Sequence, residues 1–128
     1  MNKLIIDAAK DKIFLMAINN DTSQKITHEN SKVNYEKLTL LIKKFLKSIN
    51  LDINRISKIY VNRGPGSFAG IRNSLSIVKA IHLVNKIDYF CFSYQDFGPK
   101  DEFKYENLPQ LCEKFKIKKN LINPVYIS

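Results

Sequence analysis

The spacing of apolar positions changes period partway along this chain. Lys3–Asp7 is a short apolar run that reads as a strand, and Lys12–Asn19, rich in Ile, Phe and Leu, reads as a second. The Lys10-Asp11-Lys12 turn between them predicts a hairpin. Ser23–His28 is a weaker third strand, reached through Asn19-Asn20-Asp21, so the first part of the chain reads as an antiparallel meander. Leu38, Leu41, Ile42, Phe45, Leu46 and Ile49 then follow the i, i+3, i+4 spacing of an amphipathic helix. Asn34 is placed to cap it, with Val33 and Leu38 as a hydrophobic staple, and Asn50 is placed to end it. Ile56–Asn62 reads as the next strand, about Phe68–Val84 as a long helix, and Tyr89–Phe92 as a buried strand.

The predicted order is β-β-β-α-β-α-β, an α/β meander continued by two crossovers onto a mixed sheet. That is the pattern of one RNase H-like half, the building block of the actin-like (ASKHA) ATPases. The expected division is an RNase H-like domain over 1–94 and a short C-terminal extension over 95–128. Within the extension, Asp96–Tyr105 reads as a surface connection. Leu108–Lys116 reads as a short helix capped by Asn107 with Pro109 in its first turn. A final edge strand is expected over 124–127.

Three of the four glycines fall in one run, Arg63-Gly-Pro-Gly-Ser-Phe-Ala-Gly-Ile-Arg72, between the fourth predicted strand and the long helix. Gly tolerates positive φ and close backbone approach, and Pro65 stiffens the turn. A strand-to-helix turn of this kind is where α/β proteins place function. It is also a natural anion site. The spacing, however, is not a P-loop, because Ile71-Arg72 follows Gly70 in place of Lys-Ser or Lys-Thr, and it is not GxGxxG, because Gly70 comes one residue too late. The hairpin that holds phosphate in RNase H-like ATPases corresponds to Asp7-Ala-Ala-Lys-Asp-Lys12, which has neither glycine nor hydroxyl. Asp7 stands where such folds carry a metal-binding acid, without partners in the sequence pattern.

The net charge of +9 over 128 residues raises the question of nucleic acid. Only Arg55, Arg63 and Arg72 are arginines; the lysines are dispersed, which reads mainly as a solvated surface and leaves RNA contact within an assembly open. No apolar stretch approaches the roughly 20 residues of a membrane span, and the start lacks a signal-peptide pattern. The expected location is cytoplasmic. Cys91 and Cys112 are isolated, and His28 and His82 have no metal-ligand spacing, so no metal and no cofactor is expected. Gly66-Ser67-Phe68 is not a nucleophile elbow. The residues thus describe a protein without its own active site. Gly70/Ser74 and Ser76/Ala80 are small pairs four apart on the long helix, suited either to packing on its own sheet or to a helix of another subunit.

Arg63–Arg72 closely resembles the GPGSFTGxR signature of the bacterial TsaB (YeaZ) family of tRNA threonylcarbamoyladenosine biosynthesis proteins. Leu4-Ile-Ile-Asp7 is similar to that family's opening strand. Tyr35–Ile49 with Asp52–Ile56 resembles its first helix and the lead into the central strand, and Leu75–Leu83 its long helix. Pro124-Val-Tyr-Ile127 is similar to its closing Pro-x-Tyr-Leu. The resemblance covers about residues 1–94 and the tail.

It implies a non-catalytic scaffold that forms a heterodimer with the catalytic subunit TsaD. Together with TsaE, the pair threonylcarbamoylates adenosine 37 of tRNAs reading ANN codons, so tRNA is met through the complex. It also implies pairing through the two helices, here about 35–49 and 68–84, with a homodimer open for the isolated chain. Gly64, Pro65, Gly66, Ser67, Phe68, Gly70, Arg72, Ser74 and Leu75 form the implied signature and interface set. Ala69 replaces the family threonine, Ser74 and Ala80 replace helix glycines, and Asn34-Tyr35-Glu36 stands for His-Ser/Ala-Glu. Only about 34 residues follow Tyr94, so most of the usual second lobe is not in this sequence. Two other functions remain alternatives: an RNase H-like nucleotide-binding enzyme using the glycine loop, and a small basic RNA-binding module.

Overall fold

A computed structural model of the chain describes residues 1–98 and 103–126. Strands β1 (Asn2–Asp7), β2 (Lys12–Asn19) and β3 (Thr22–Glu29) form the expected antiparallel meander. Strands β4 (Ile56–Asn62) and β5 (Asp88–Phe92) extend it in parallel, giving the order β3-β2-β1-β4-β5. The parallel pairs need long crossovers, and helices supply them. Helices α1 (Lys32–Glu36) and α2 (Leu38–Ser48) link β3 to β4, and α3 (Phe68–Asn85) links β4 to β5. A last helix, α4 (Leu108–Lys114), follows β5. No helix among the described residues is long and apolar enough to cross a membrane.

Strand alternation divides the interior in two. Leu4, Ile6, Leu15, Ile59, Val61 and Cys91 face α2 and α3, where they meet Leu38, Ile42, Phe45, Ile71, Leu75 and Val78. The intervening Ile5, Met16, Tyr60 and Phe92 face the opposite side, where Leu108 and Cys112 of α4 cover them. Both faces of β1 and β4 are therefore buried, which is why these strands read as continuous apolar runs.

Several local details differ from the sequence reading. The first helical segment begins earlier and breaks once. Ser31, not Asn34, caps it, its hydroxyl accepting from the Asn34 N–H at 3.1 Å. Val33 thus lies inside α1 and is 54% exposed, so it forms no staple with Leu38. Lys37 alone is non-helical between α1 and α2, and Tyr35 and Leu38 on either side of it are both buried. Asn50 does end α2: it adopts φ 62°, and the Leu51 and Asn50 N–H groups donate to Leu46 and Lys47 carbonyls at 2.8 and 3.1 Å. Asn107 makes no side-chain cap; a 3-10 turn over Tyr105–Asn107 leads into α4 instead, and α4 ends at Lys114.

The extension is not merely a surface connection. Phe97 and Phe103 stack with Phe92 at 6.2 and 6.4 Å and help cover the second face. Residues 99–102 of the expected connection lie outside the described residues. The expected closing strand does not form over 124–126, and Ile127 lies outside the described residues. Its backbone reaches a loop rather than a strand: the Val125 N–H donates to the Arg63 carbonyl at 2.7 Å. The outer edge of β5 is met by an isolated bridge from Phe90 to Lys119.

Ile59 is fully buried on central β4. Ile59→Ala is expected to lower unfolding stability by about 2–5 kcal/mol, measured by urea denaturation, with an unchanged slope marking the loss as one of packing.

Candidate functional site

The glycine run lies directly against the turn that joins β1 to β2. The Ser67 N–H donates to the Ala9 carbonyl at 2.8 Å. A Cβ placed on Gly66 would overlap that same Ala9 oxygen, and one on Gly70 would overlap the Ala8 oxygen. Gly64 has φ +101°, and a Cβ there would strike the Val125 carbonyl. Two of these contacts are hairpin against loop, backbone to backbone, which no side-chain adjustment relieves. The Gly64–Pro65 peptide is cis. The Ser67 hydroxyl accepts from the Gly70 N–H at 3.2 Å and caps α3. The loop thus fills the space beside the first hairpin, and the groups facing it there are carbonyl oxygens, the wrong polarity for phosphate.

Beside this contact, fully buried Asp7 accepts four hydrogen bonds from the chain itself. The Ala9 N–H and Asn62 Nδ2 donate to Oδ1 at 3.2 and 3.1 Å. The Tyr94 and Tyr105 hydroxyls donate to Oδ2 at 3.0 and 2.7 Å. Burial first, and then the adjacent Asp7 carboxylate, push both phenols well above their ordinary range. Lys10 Nζ lies 4.1 Å from the Tyr94 ring centroid. Asn62 Oδ1 in turn accepts from the Gly64 N–H at 2.8 Å, joining this network to the loop. Arg63 clamps the far side: it makes a paired contact with Asp96 at 2.7 and 3.3 Å and donates to the Asn123 carbonyl at 3.0 Å. Among the described residues, no three His, Cys, Asp or Glu side chains gather into a potential metal site. His82 Nδ1 instead lies 3.0 Å from the Ile87 carbonyl.

The signature residues divide between interior and surface. Gly64, Gly70, Ser74 and Leu75 turn inward; the Ser74 hydroxyl donates to the Gly70 and Ile71 carbonyls and is fully buried. Pro65 is half-buried, and Phe68 and Arg72 are exposed, with the Arg72 guanidinium 5.5 Å and the Tyr126 ring 4.7 Å from the centre of the Phe68 ring. The first small pair on α3 thus serves internal packing, since Gly70 and Ser74 meet this chain's own residues. The second pair, Ser76 and Ala80, is exposed and lines an open apolar groove of about 560 Å³ between α2 and α3. Ile42, Leu46, Ile77 and Ile81 form its walls, Leu51 and Ile53 close one end, and Lys43, Lys47 and Asp52 are also at its margin.

The groove was detectable in part from the wide apolar face of the first long helix and the Ile77/Ile81 pair. Tyr94 and Tyr105 carried no signal, since they lie 87 and 98 residues from Asp7.

A family model described as "TsaD: tRNA N6-adenosine threonylcarbamoyltransferase" matches residues 17–92. The tRNA threonylcarbamoyladenosine biosynthesis protein TsaB of Buchnera aphidicola subsp. Baizongia pistaciae is 33% identical over 70 residues. The chain belongs to the TsaB/YeaZ family of TsaD-like domains. That alignment takes in 48% of this chain and 32% of the Buchnera protein, so the chain matches about a third of that relative's length. YeaZ from Pseudomonas aeruginosa superimposes with a TM-score of 0.66 at 15% identity, over 72% of this chain and 43% of that one. A second Pseudomonas aeruginosa structure, described as similar to peptidase YeaZ, gives the same values. The fold is therefore one half of the YeaZ, ASKHA-like architecture.

Two predictions follow from this geometry. Gly70→Ala should cost about 1–3 kcal/mol or more, because the neighbouring atom is backbone and cannot rotate aside; a thermal melt within one degree of the parent would refute the close approach. Burial pushes the thiols of Cys91 and Cys112 up to about 12. Since the thiolate is the reactive form, both should resist a disulfide reagent at about pH 8 in the folded protein and react at once in denaturant. Fast native reaction of either would show that it is open to solvent.

Proposed function

We propose that this chain is the partner-binding half of a TsaB-type subunit: a non-catalytic scaffold that pairs with TsaD for threonylcarbamoylation of adenosine 37 in tRNAs reading ANN codons. The apolar α2–α3 groove carries this reading. A cleft lined by isoleucine and leucine, with the small residues Ser76 and Ala80 exposed along it, suits the side chains of a partner helix, because small residues allow close approach. Membership of the family supplies the chemistry in which such a partner works. On this reading residues 1–94 are the dimerising domain and 95–128 an extension at the place where the family's second lobe begins. The glycine loop, with Gly64, Pro65, Gly66 and Ser67, sets the angle of α3. Ser74 and Leu75 hold that helix on its sheet, and Phe68 and Arg72 stand at the exposed end of the same helix. TsaE would join through the assembled pair, and the working location is the cytoplasm.

Two structural features favour this reading over nucleotide hydrolysis. The space beside the first hairpin is filled by backbone, and both oxygens of Asp7 are already engaged by four donors.

Co-expression with TsaD of the same organism tests the proposal. A stable complex by gel filtration is expected, weakened about tenfold or more by Ile77→Asp or Ala80→Trp in the groove, with the variants' own melting temperatures close to the parent's. A TsaD complex untouched by both substitutions would move the interface elsewhere, and no complex at all would sink the scaffold role.

A further inference from the structure

The opposite face of the sheet holds a second cleft, of different chemistry, with a volume of about 490 Å³. It opens where α4 stops covering the strands. Lys3 and Lys58 are register partners on β1 and β4, and strand alternation places both on this face with Ile5 and Tyr60. Tyr60 and Phe90 are register partners on β4 and β5, their rings stacked at 5.2 Å and 15°. Lys58 Nζ lies 5.9 Å from the Phe90 centroid. Lys116 and the α4 residues Gln110 and Glu113 form the far rim.

None of these three lysines has a carboxylate partner among the described residues, and Glu113 is the one acid lining the cleft. Away from the cleft this face is covered by apolar side chains and by the closed Asp7 network, whose polar groups partner one another, so two half-buried lysines side by side on adjacent strands without a carboxylate stand apart. They fit an anion, and the adjoining rings fit a planar group.

We propose that this cleft is a contact site for single-stranded RNA. Lys3, Lys58 and Lys116 meet phosphates, a base lies against the Phe90 ring, and Gln110 or Glu113 hydrogen-bonds to base or ribose. The preference for RNA over an acidic peptide rests partly on the tRNA reading above; the cleft lies on the opposite face of the sheet from the α2–α3 groove.

Fluorescence anisotropy of the full chain with a short labelled single-stranded oligoribonucleotide tests this. Three phosphate contacts predict a salt dependence of log K on log salt near about −2, falling by about 0.7 for each lysine removed. The Lys3→Ala, Lys58→Ala double variant should lose about tenfold in low-salt affinity, and Phe90→Leu should also weaken binding several-fold. Lys58→Arg should bind as the parent does, and so should Lys44→Ala on the other side of the sheet. Lys116→Asn lies beyond the sheet and tolerates the left-handed backbone there; it provides an independent variant if the double one fails to fold.

Equal losses from Lys44→Ala and the cleft lysines would reduce the effect to diffuse charge and overturn the site. So would the absence of saturable binding. If poly-glutamate competed fully and Phe90→Leu bound normally, the occupant would be an acidic peptide and the RNA assignment would fall. TsaD capture and RNA binding, both measured for the cleft variants and for the groove variant Ile77→Asp, separate the two readings. Loss of RNA binding with capture intact belongs to the cleft, and loss of capture with RNA binding intact belongs to the groove.

Discussion

Much of this structure depends on how closely the glycine loop approaches the turn between β1 and β2. Ser67 bonds to the Ala9 carbonyl, and Gly66 and Gly70 leave room for the Ala9 and Ala8 carbonyls where any side chain would collide. The crossover helix α3 starts at that point, so its position on the sheet is set by backbone contact rather than by side chains that can readjust. Ile71, Leu75 and Val78 then fall over Leu4, Ile6, Ile59 and Val61. The same contact removes the cavity that a phosphate-binding hairpin would need. One local choice of residue therefore fixes the seat of the helix and shapes what chemistry the hairpin can support.

The polar network beside it extends this closure. A buried carboxylate without partners is costly, and Asp7 avoids that cost through donors from four places in the chain: its own turn, β4, and two tyrosines after β5. The tyrosines bring the segment after β5 across the second face, where Phe97, Phe103 and α4 shield Phe92 and Tyr60. Arg63 does the same for the tail by holding Asp96 and the Asn123 carbonyl together. The segment following β5 is thus bound into the half that precedes it, with its aromatic residues serving as the cover for a sheet that would otherwise expose one apolar face.

With both faces covered, the molecule presents two surfaces of contrasting character. On the helical side, α2 and α3 diverge enough to leave a groove that is apolar along its walls and charged only at its margin. On the other side, the cover stops short of the lower ends of β1 and β4, and paired lysines stand beside stacked rings. The first suits a helix, the second an anion carrying a flat group. These two lie on separate faces of the sheet, so they can be occupied together.

The order of elements was legible in the sequence because it rests on local pattern. Lys12–Asn19 and Ile56–Asn62 are strands with the bounds that their apolar runs suggest, and the helical spacing from Leu38 to Ile49 marks α2. The clustering of Gly64, Gly66 and Gly70 likewise announced a tight turn, since glycine is needed where backbone meets backbone. Details that depend on competing local partners were not legible: Ser31 displaced Asn34 as a cap, and Tyr126 and its neighbours ended beside a loop instead of in a strand.

Only tertiary structure decided which small residues of α3 are internal. Gly70/Ser74 and Ser76/Ala80 have the same spacing, but the helix's rotation on its sheet buries the first pair and exposes the second. Nor could spacing reveal that Tyr94 and Tyr105 satisfy Asp7, or that Lys3 meets Lys58, because strand register joins residues far apart in the chain. Local periodicity is a property of neighbouring residues. The groove, the carboxylate network and the lysine pair are properties of the pairing between elements, which the fold alone sets.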